Sequence, residues 1–419
     1  MLCEKKRGLR IILKRKIRTL FLDIVGQKLF EANSDNNTIT LNMDLEPFNK
    51  PIFITRPIIP DLDKYRDRLE SVWAKKWFTN NGQQHQLLEK RLKKYLDVPQ
   101  ISLFNNGTIA LITACRSLRL SGEVITTPFT FAATPHILTW NNIKPIFCDI
   151  EKNTFNLDVE KIESSITAET TGILPVHVFG IPCNVEKIQK IADDYGLKVI
   201  YDAAHAFGTE WNNNGIGNFG DITMFSFHAT KQFHTAEGGA LTFRDSNLKK
   251  RIDLLKNFGI KNEDEVIMPG INGKMNELQA ALGLEVIEYL DTEQMKRKQC
   301  FNHYVKKLKH LNGIILPKMS KNVHFNYQYF VIRVEKEKFG LSRDEVYERL
   351  KRFNIFTRKY FYPLCSSYAC YKHLPSSSEN NLAVATKVVD EVLCLPLYGD
   401  LSINDIEKIC TIIGSLNEN

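Results

Sequence analysis

Long apolar runs, paired cysteines and internal repeats are all missing from this sequence of 419 residues. Since no run of about 18 uncharged apolar residues occurs, no membrane-spanning helix is predicted. The nine cysteines include no Cys-x-x-Cys pair, which argues for reduced thiols and against a zinc site. We interpret the closest pair, Cys365 and Cys370, as incidental. We therefore expect a cytoplasmic protein without a metal site.

An excess of charge of one sign is confined to the N-terminus. Residues 1–22 hold eight Lys or Arg and one Glu, whereas the rest of the chain holds 48 basic and 47 acidic residues. A neutral body gives no support to a nucleic-acid surface. Residues 1–50 are predicted to be a basic extension and a polar, Asn-rich linker. For this extension we favour a solvated segment packed on the body over a membrane-surface helix or a targeting segment.

Strands and helices alternate along the body, which predicts an α/β fold with a mostly parallel sheet covered by helices on both faces. The predicted strands are 101–104, 124–126, 146–148, 173–176, 198–201, 224–227 and 241–243. The predicted helices are 61–76, 83–96, 108–119, 131–140, 158–164, 184–195, 246–257 and an interrupted one at 276–312.

The tail has a different pattern. One strand is predicted at 329–334, followed by helices at 343–353, 379–389 and 402–414. We therefore predict a large α/β domain over residues 51–290 and a smaller C-terminal α+β domain over residues 291–419.

One lysine and one aspartate have the spacing of a cofactor site. Lys231 lies between a strand end and a glycine pair in FSFHATKQFHTAEGG (225–239). A lysine there can form a Schiff base if burial or a cation lowers the pKa of its amine. Asp202 ends the strand before it, where a carboxylate can keep a pyridine nitrogen protonated. Asp202 alone would also suit a helix N-cap, so the pair carries the prediction.

Eight segments, in this order, resemble the nucleotide-sugar aminotransferases of the DegT/StrS type, which are pyridoxal-phosphate enzymes of fold type I. The segments are ITRP (54–57), WFTNNG (77–82), NNGTIAL (105–111), TTPFTFAAT (126–134), ILPVHVFG (173–180), YDAAHAFG (201–208), FSFHATKQFHTAEGGAL (225–241) and PGINGKMNELQAALG (269–283). The resemblance covers about residues 51–415. It implies fold type I with a small C-terminal domain, pyridoxal 5′-phosphate on Lys231 and transamination from L-glutamate, with Asp202 stabilising the protonated ring.

The same resemblance implies the residues that bind the cofactor. Gly107 and Thr108 would bind its phosphate, and free N–H groups at a helix start suit an anion. Ser226 matches the second phosphate ligand. Phe131 would lie on the ring face, unless it is a core residue. His205 would reach the phenolic oxygen, where relatives often carry glutamine.

Other implied residues concern the substrate and a second chain. Asn272 matches a residue that crosses a dimer interface to the neighbour's cofactor phosphate, which implies a homodimer with composite sites. The resemblance implies that Lys274 contacts the nucleotide diphosphate of the substrate. The family often has arginine there, and both residues can meet a phosphate, but lysine cannot do so bidentately. Tyr360 and Tyr362 match the segment that lines the sugar pocket, or else pack in a loop between domains.

The segments around Lys231 and residues 257–274 look most like enzymes that make 4-amino-4,6-dideoxyglucose (viosamine) nucleotides. The resemblance thus implies dTDP- or UDP-4-keto-6-deoxyglucose as substrate and L-glutamate as amino donor. Three alternatives stay open: amination at C3 of a 3-keto-6-deoxy nucleotide sugar, a regulatory protein that holds the cofactor without catalysis, and a membrane-docked interaction protein.

Overall fold

A seven-stranded sheet lies at the centre of the fold. The computed structural model describes residues 45–318 and 320–416. Its strands there are β1 (Gln100–Phe104), β2 (Glu123–Thr126), β3 (Lys144–Phe147), β4 (Thr170–Leu174), β5 (Lys198–Asp202), β6 (Glu210–Trp211), β7 (Asn214–Gly215), β8 (Ile222–Ser226), β9 (Gly239–Phe243), β10 (Ile314–Ile315), β11 (Val323–His324), β12 (Phe330–Val334) and β13 (Val392–Leu395). The central sheet has the order β1-β9-β8-β5-β4-β2-β3. Neighbours from β3 to β8 are parallel, whereas β9 is antiparallel to β8 and β1. The predicted mostly parallel sheet is confirmed.

Helices connect these strands. They are α1 (Leu62–Lys75), α2 (Gln83–Tyr95), α3 (Gly107–Ser117), α4 (Ala133–Trp140), α5 (Val185–Tyr195), α6 (Ser246–Leu255), α7 (Glu277–Val286), α8 (Leu290–Leu308), α9 (Lys336–Phe339), α10 (Arg343–Arg352), α11 (Ala383–Glu391) and α12 (Ile403–Ser415). Their ends follow local chemistry. For example, Asn184 caps the start of α5 by accepting from the Lys187 N–H, and α5 ends at Gly196 in the left-handed conformation.

The core lies on both faces of the central sheet. On β5, Val199 and Tyr201 belong to one apolar cluster, whereas Ile200 belongs to another. Since successive strand side chains point to opposite faces, the two clusters cover the two faces. The first contains apolar residues of α2, α5 and α7, and the second contains those of α3, α4 and α6.

The predicted helix at 158–164 is wrong. Two 3-10 turns, Val159–Lys161 and Glu163–Ser165, occupy this segment. The Ser164 and Ser165 hydroxyls both donate to the Lys161 carbonyl, and the Ser165 N–H donates to the Ile162 carbonyl instead. Serine side chains thus take the acceptor that an α-helix would need.

A break in one helix was predicted correctly, whereas a strand of the C-terminal part was missed. The helix predicted at 276–312 is interrupted, as expected, by a 3-10 turn at Ile287–Tyr289 between α7 and α8. Strand β13 was not predicted, because a run of four apolar residues directly after a helix has no period of its own. It pairs with β12, which also pairs with β10, in a separate antiparallel sheet. The predicted domain boundary after residue 290 stays a prediction.

Residues 1–44 of the N-terminal extension lie outside the described residues, and so do the solvated segment that we favour there and the membrane-surface helix weighed against it. In residues 45–318 and 320–416, no helix is long and apolar enough to cross a membrane.

The buried side chain of Arg297 connects α8 by hydrogen bonds to the segments that contain Gln328 and Leu397. Arg297 is 1% exposed, and its Nε donates to Glu293 Oε1 at 2.6 Å. Its Nη1 donates to the carbonyls of Gln328 and Leu397, at 3.3 and 3.2 Å. The Glu293 carboxylate and the two carbonyls therefore each have a hydrogen-bond donor, as buried acceptors usually do.

We expect Arg297→Met to lower the free energy of unfolding by about 3–5 kcal/mol, because the Glu293 carboxylate and two carbonyls would lose a buried partner. Urea denaturation of the purified protein measures this loss. The control is Arg91→Met, which breaks the half-exposed pair with Glu288 and should cost less than about 1 kcal/mol. Equal losses of unfolding free energy in the two variants would contradict the expectation that the buried ion pair contributes more to stability than the exposed one.

Candidate active site

A cavity of about 280 Å³ opens where β5 and β8 end. Ligands of parallel sheets bind at the carboxyl ends of the strands. The antiparallel strand β9 returns the chain beside α3, so the loop before it also reaches the cavity. The cavity brings together eight of the predicted site residues, which are Gly107, Thr108, Phe131, Asp202, His205, Ser226, Lys231 and Tyr360.

Lys231 lies in the loop between β8 and β9. Its backbone N–H donates to the His228 carbonyl at 2.8 Å, which closes a tight turn. The next residue, Gln232, is buried, and its N–H donates to Gln328 Oε1 at 3.0 Å. Burial lowers the pKa of the Lys231 amine to about 8, although the Asp202 carboxylate opposes this shift. A substantial fraction of the amine is therefore neutral at physiological pH, as a nucleophile must be.

Asp202 ends β5 and is 5% exposed. Its Oδ1 accepts from the Ala204 N–H at 3.0 Å, and its Oδ2 accepts from the Thr134 hydroxyl at 2.8 Å. Burial raises the pKa of this carboxyl, while the two hydrogen bonds and the charge of Lys231 lower it in part. No helix begins after Asp202, since the chain continues in turns. The helix N-cap interpretation of this residue is therefore wrong.

The start of α3 forms a cradle for an anion. Asn106 caps the helix by accepting from the Ile109 N–H at 2.8 Å. The N–H groups of Gly107 and Thr108 have no acceptor within the described part of the chain. Gly239 on β9 passes so close that a Cβ there would lie 2.7 Å from the Gly107 nitrogen. Free N–H groups at a helix N-terminus suit a phosphate.

A model of the DegT/DnrJ/EryC1/StrS aminotransferase family matches residues 62–414 of this chain. The chain belongs to this family. It is a pyridoxal-phosphate-dependent sugar aminotransferase, and the amine, carboxylate and anion cradle of the cavity fit that cofactor.

Two relatives and one solved structure are similar to this chain over most of its length. The chain is 47% identical over 368 residues to a dTDP-4-amino-4,6-dideoxy-D-glucose transaminase of Escherichia coli, covering 87% of this chain and 98% of that protein. It is 46% identical over 367 residues to the transaminase of the same name from Shigella dysenteriae, covering 88% and 99%. The crystal structure of DesI in the presence of its TDP-sugar product superposes with a TM-score of 0.84 at 32% identity, covering 88% of this chain and 93% of DesI.

His205 in this aminotransferase is held in one tautomer. Its Nδ1 accepts from the Phe179 N–H at 3.3 Å, so the ring proton lies on Nε2. Burial and the nearby Lys231 charge keep its pKa well below the usual range. Its ring lies parallel to those of Phe361 and Phe179, at 5.6 and 6.4 Å between centroids. The aminotransferase therefore presents a neutral imidazole at the wall of the cavity.

Phe131 lies at the rim of the cavity with 63% of its surface exposed. A core phenylalanine would be buried, so the core interpretation of Phe131 is wrong. An exposed aromatic ring beside Asp202 and Lys231 can cover one face of a flat ligand.

Tyr362 does not lie in the cavity of the aminotransferase. It is 50% exposed, and the charged groups of Arg343 and Lys359 lie over its ring at 5.1 and 5.4 Å.

Phe361 and Tyr360 line the cavity instead. Phe361 was missed because the direction of a side chain in an irregular segment follows no period. Tyr329, Thr130 and Glu237 also line the cavity without having been predicted.

Asn272 and Lys274 lie outside the cavity formed by their own chain. Lys274 Nζ donates to Asn272 Oδ1 at 2.8 Å and lies 4.8 Å from the Phe258 ring centre. Asn272 is exposed. The Asn105 N–H donates to the Gly273 carbonyl at 2.9 Å, which fixes this loop next to the segment that begins the anion cradle.

The pKa of Lys231 predicts how its amine reacts in the cofactor-free protein. We expect half-maximal acetylation of Lys231 by acetic anhydride at a pH of about 8. In Asp202→Asn this midpoint should fall, because the charge that raises the pKa of the amine is gone. Mass spectrometry of the Lys231 peptide measures the rate, with the exposed Lys187 as reference. Midpoints at the same pH for Lys231 and Lys187 would contradict the effect of burial.

Proposed function

We propose that this aminotransferase transfers the amino group of L-glutamate to C4 of a nucleotide-linked 4-keto-6-deoxyglucose, giving the viosamine nucleotide. The observation behind this proposal is that one cavity holds both Lys231, whose amine has a lowered pKa, and the buried carboxylate of Asp202. Two relatives are named dTDP-4-amino-4,6-dideoxy-D-glucose transaminases, which supports amination at C4 over C3 and dTDP over UDP as the nucleotide.

Each residue of the cavity has a task in this proposal. Pyridoxal phosphate, when bound, supplies an electron-accepting ring for the carbon that loses its proton. Lys231 would attach the cofactor and move the proton as base and acid, since burial lowers the pKa of its amine to about 8. Asp202 would accept a hydrogen bond from the ring nitrogen and stabilise its positive charge.

The remaining residues bind and orient the cofactor. The free N–H groups of Gly107 and Thr108 and the Ser226 hydroxyl would bind the phosphate. His205 would donate its Nε2–H to the phenolic oxygen. Phe131 would cover the ring face. Tyr360 is proposed to contact the sugar, whereas the exposed position of Tyr362 assigns it to the outer surface of the same segment.

Transamination is tested by incubating the protein with L-glutamate and either dTDP- or UDP-4-keto-6-deoxyglucose, and determining the product by NMR. We expect the 4-amino sugar, faster with the dTDP substrate. Lys231→Ala should abolish turnover, and Asp202→Asn should remove most of it, because an amide cannot carry the opposing charge.

The matched control is Lys187→Ala, which removes an exposed amine that pairs with Glu160 and should leave turnover unchanged. An amino group at C3 would overturn the position of amination. A protein that bound pyridoxal phosphate but converted neither sugar would support the cofactor-holding alternative.

We also infer that the aminotransferase is a homodimer in which Asn272 reaches the cofactor phosphate of the partner. Support comes from the loop that holds Asn272. This loop exposes a run of large apolar side chains, Phe258, Ile260, Val266, Ile267 and Ile271. An apolar patch of that kind suits an interface. Helix α7 gives no such support, because its Ala280 and Leu284 pack in the core of their own chain.

Composite sites predict complementation between two defective chains. Asn272→Asp would place a carboxylate beside the partner's phosphate and weaken cofactor binding several-fold or more, whereas Lys231→Ala removes the attachment point. After subunit exchange at equal mixing, about a quarter of all sites should have both residues intact, because half the dimers are mixed and one of their two sites is whole. Turnover after mixing measures this recovery. A protein that is active while monomeric in light scattering would refute the composite site.

A further inference from the structure

We propose that Thr134 is a positioning residue for Asp202, and that Thr130 and Thr134 together form a hydroxyl relay that holds the Asp202 carboxylate in place for the ring nitrogen of the cofactor. The proposal rests on the role given to Asp202 under the proposed function. It concerns two residues for which neither the sequence patterns nor the family resemblance supplied a role.

The geometry is a chain of two short hydrogen bonds. The Thr130 and Thr134 hydroxyl oxygens are 2.9 Å apart, and the Thr134 hydroxyl donates to Asp202 Oδ2 at 2.8 Å. All three side chains are buried, with exposures of 2%, 0% and 5%. Water therefore has little access to replace either bond, and losing one leaves a buried group unpaired.

The direction of the relay follows from counting protons. An ionised carboxylate only accepts, so the single hydroxyl proton of Thr134 lies on the bond to Asp202. Thr130 must then donate to Thr134. In such a chain each bond polarises the next, which strengthens the final contact with the carboxylate. Since the Ala204 N–H holds the other carboxylate oxygen, both oxygens of Asp202 are fixed.

The Thr134 hydroxyl donates to a side chain on another element. Thr134 is the second residue of α4, so the carbonyl four residues earlier lies outside the helix, and the proton goes to Asp202 on β5. Thr113 in α3 is also buried, but its hydroxyl donates to the Ile109 carbonyl of its own helix at 2.9 Å. Thr113 therefore serves as a control for the loss of a buried threonine hydroxyl that does not contact Asp202.

The relay is also anchored at its far end. The Cys365 N–H donates to the Pro128 carbonyl at 2.9 Å, and Cys365 Sγ donates to the Thr130 carbonyl at 3.1 Å. Cys365 follows closely after Tyr360 and Phe361, which line the same cavity. The loop that carries Thr130 is thus fixed by hydrogen bonds to the segment that also lines the cavity with Tyr360 and Phe361.

The decisive experiment compares two cofactors. Full-length Thr134→Val, Thr134→Ser and Thr113→Val proteins are freed of cofactor and titrated with pyridoxal phosphate or with the analogue that has carbon in place of the ring nitrogen. Valine keeps the shape of threonine without its hydroxyl. Thr134→Val should bind pyridoxal phosphate about tenfold more weakly, because a hydrogen bond to a charged group is lost. Its affinity for the analogue should equal that of the unmodified protein.

The other variants show whether the hydroxyl itself is responsible. Thr134→Ser should restore the affinity for pyridoxal phosphate, and Thr113→Val should bind both cofactors normally. Thr130→Val should give a smaller loss than Thr134→Val, again for pyridoxal phosphate only. A Thr134→Val protein that weakened both cofactors equally, or neither, would overturn the proposal. If Thr134→Val does not fold, Thr134→Ala takes its place in the same comparison.

Failure of this proposal can be told apart from failure of the proposed function. Cofactor titration needs no sugar, so it gives a result whether or not the 4-keto sugar is the substrate. With a working substrate, Thr134→Val should also lower kcat and leave the KM for the sugar unchanged, because the relay acts on the ring and not on the sugar. A raised KM with normal kcat would count against it.

Discussion

The burial of a carboxylate and an amine in one cavity is the constraint on which the site depends. Desolvation disfavours the charged form of both, so it raises the pKa of Asp202 and lowers that of Lys231. Each charge partly offsets the shift of the other. Burying such a pair costs free energy of folding. Removing one partner costs more, because a single buried charge without a partner is strongly destabilising. The Ala204 N–H and the Thr134 hydroxyl supply hydrogen bonds to Asp202 that lower this cost.

The topology of the sheet brings this pair together. Asp202 on β5 lies in register with Met224 on the parallel strand β8, so both strands end at the same edge. The loop after β8 carries Lys231 over that edge. The antiparallel return of β9 then brings Gly239 against the start of α3, where a side chain would collide with the backbone of Asn106 and Gly107. One glycine thus lets the anion cradle lie beside the lysine.

Sequence reasoning predicted the cavity residues that lie at the ends of regular elements. Asp202 and Lys231 follow strands, and their positions come from periodicity and turn residues, whereas Gly107 opens a helix and was implied by the family resemblance. It missed Phe361 and the hydroxyl of Thr134. Their contacts join segments far apart in the chain, and no local pattern states which way a side chain in an irregular segment points. The helix wrongly predicted around Ile162 failed for a related reason, because serine hydroxyls there compete for a backbone carbonyl.

The polarity of the cavity also explains why His205 suits this position. A glutamine amide can rotate and offer either an acceptor or a donor. His205 cannot exchange these roles, because its Nδ1 is occupied by the Phe179 N–H and its ring is clamped parallel to Phe361. The cavity thus offers N–H donors at the α3 cradle, an N–H donor at His205 and an acceptor at Asp202. A phosphate, a phenolic oxygen and a protonated ring nitrogen would find matching groups there, which supports the proposed orientation of the cofactor.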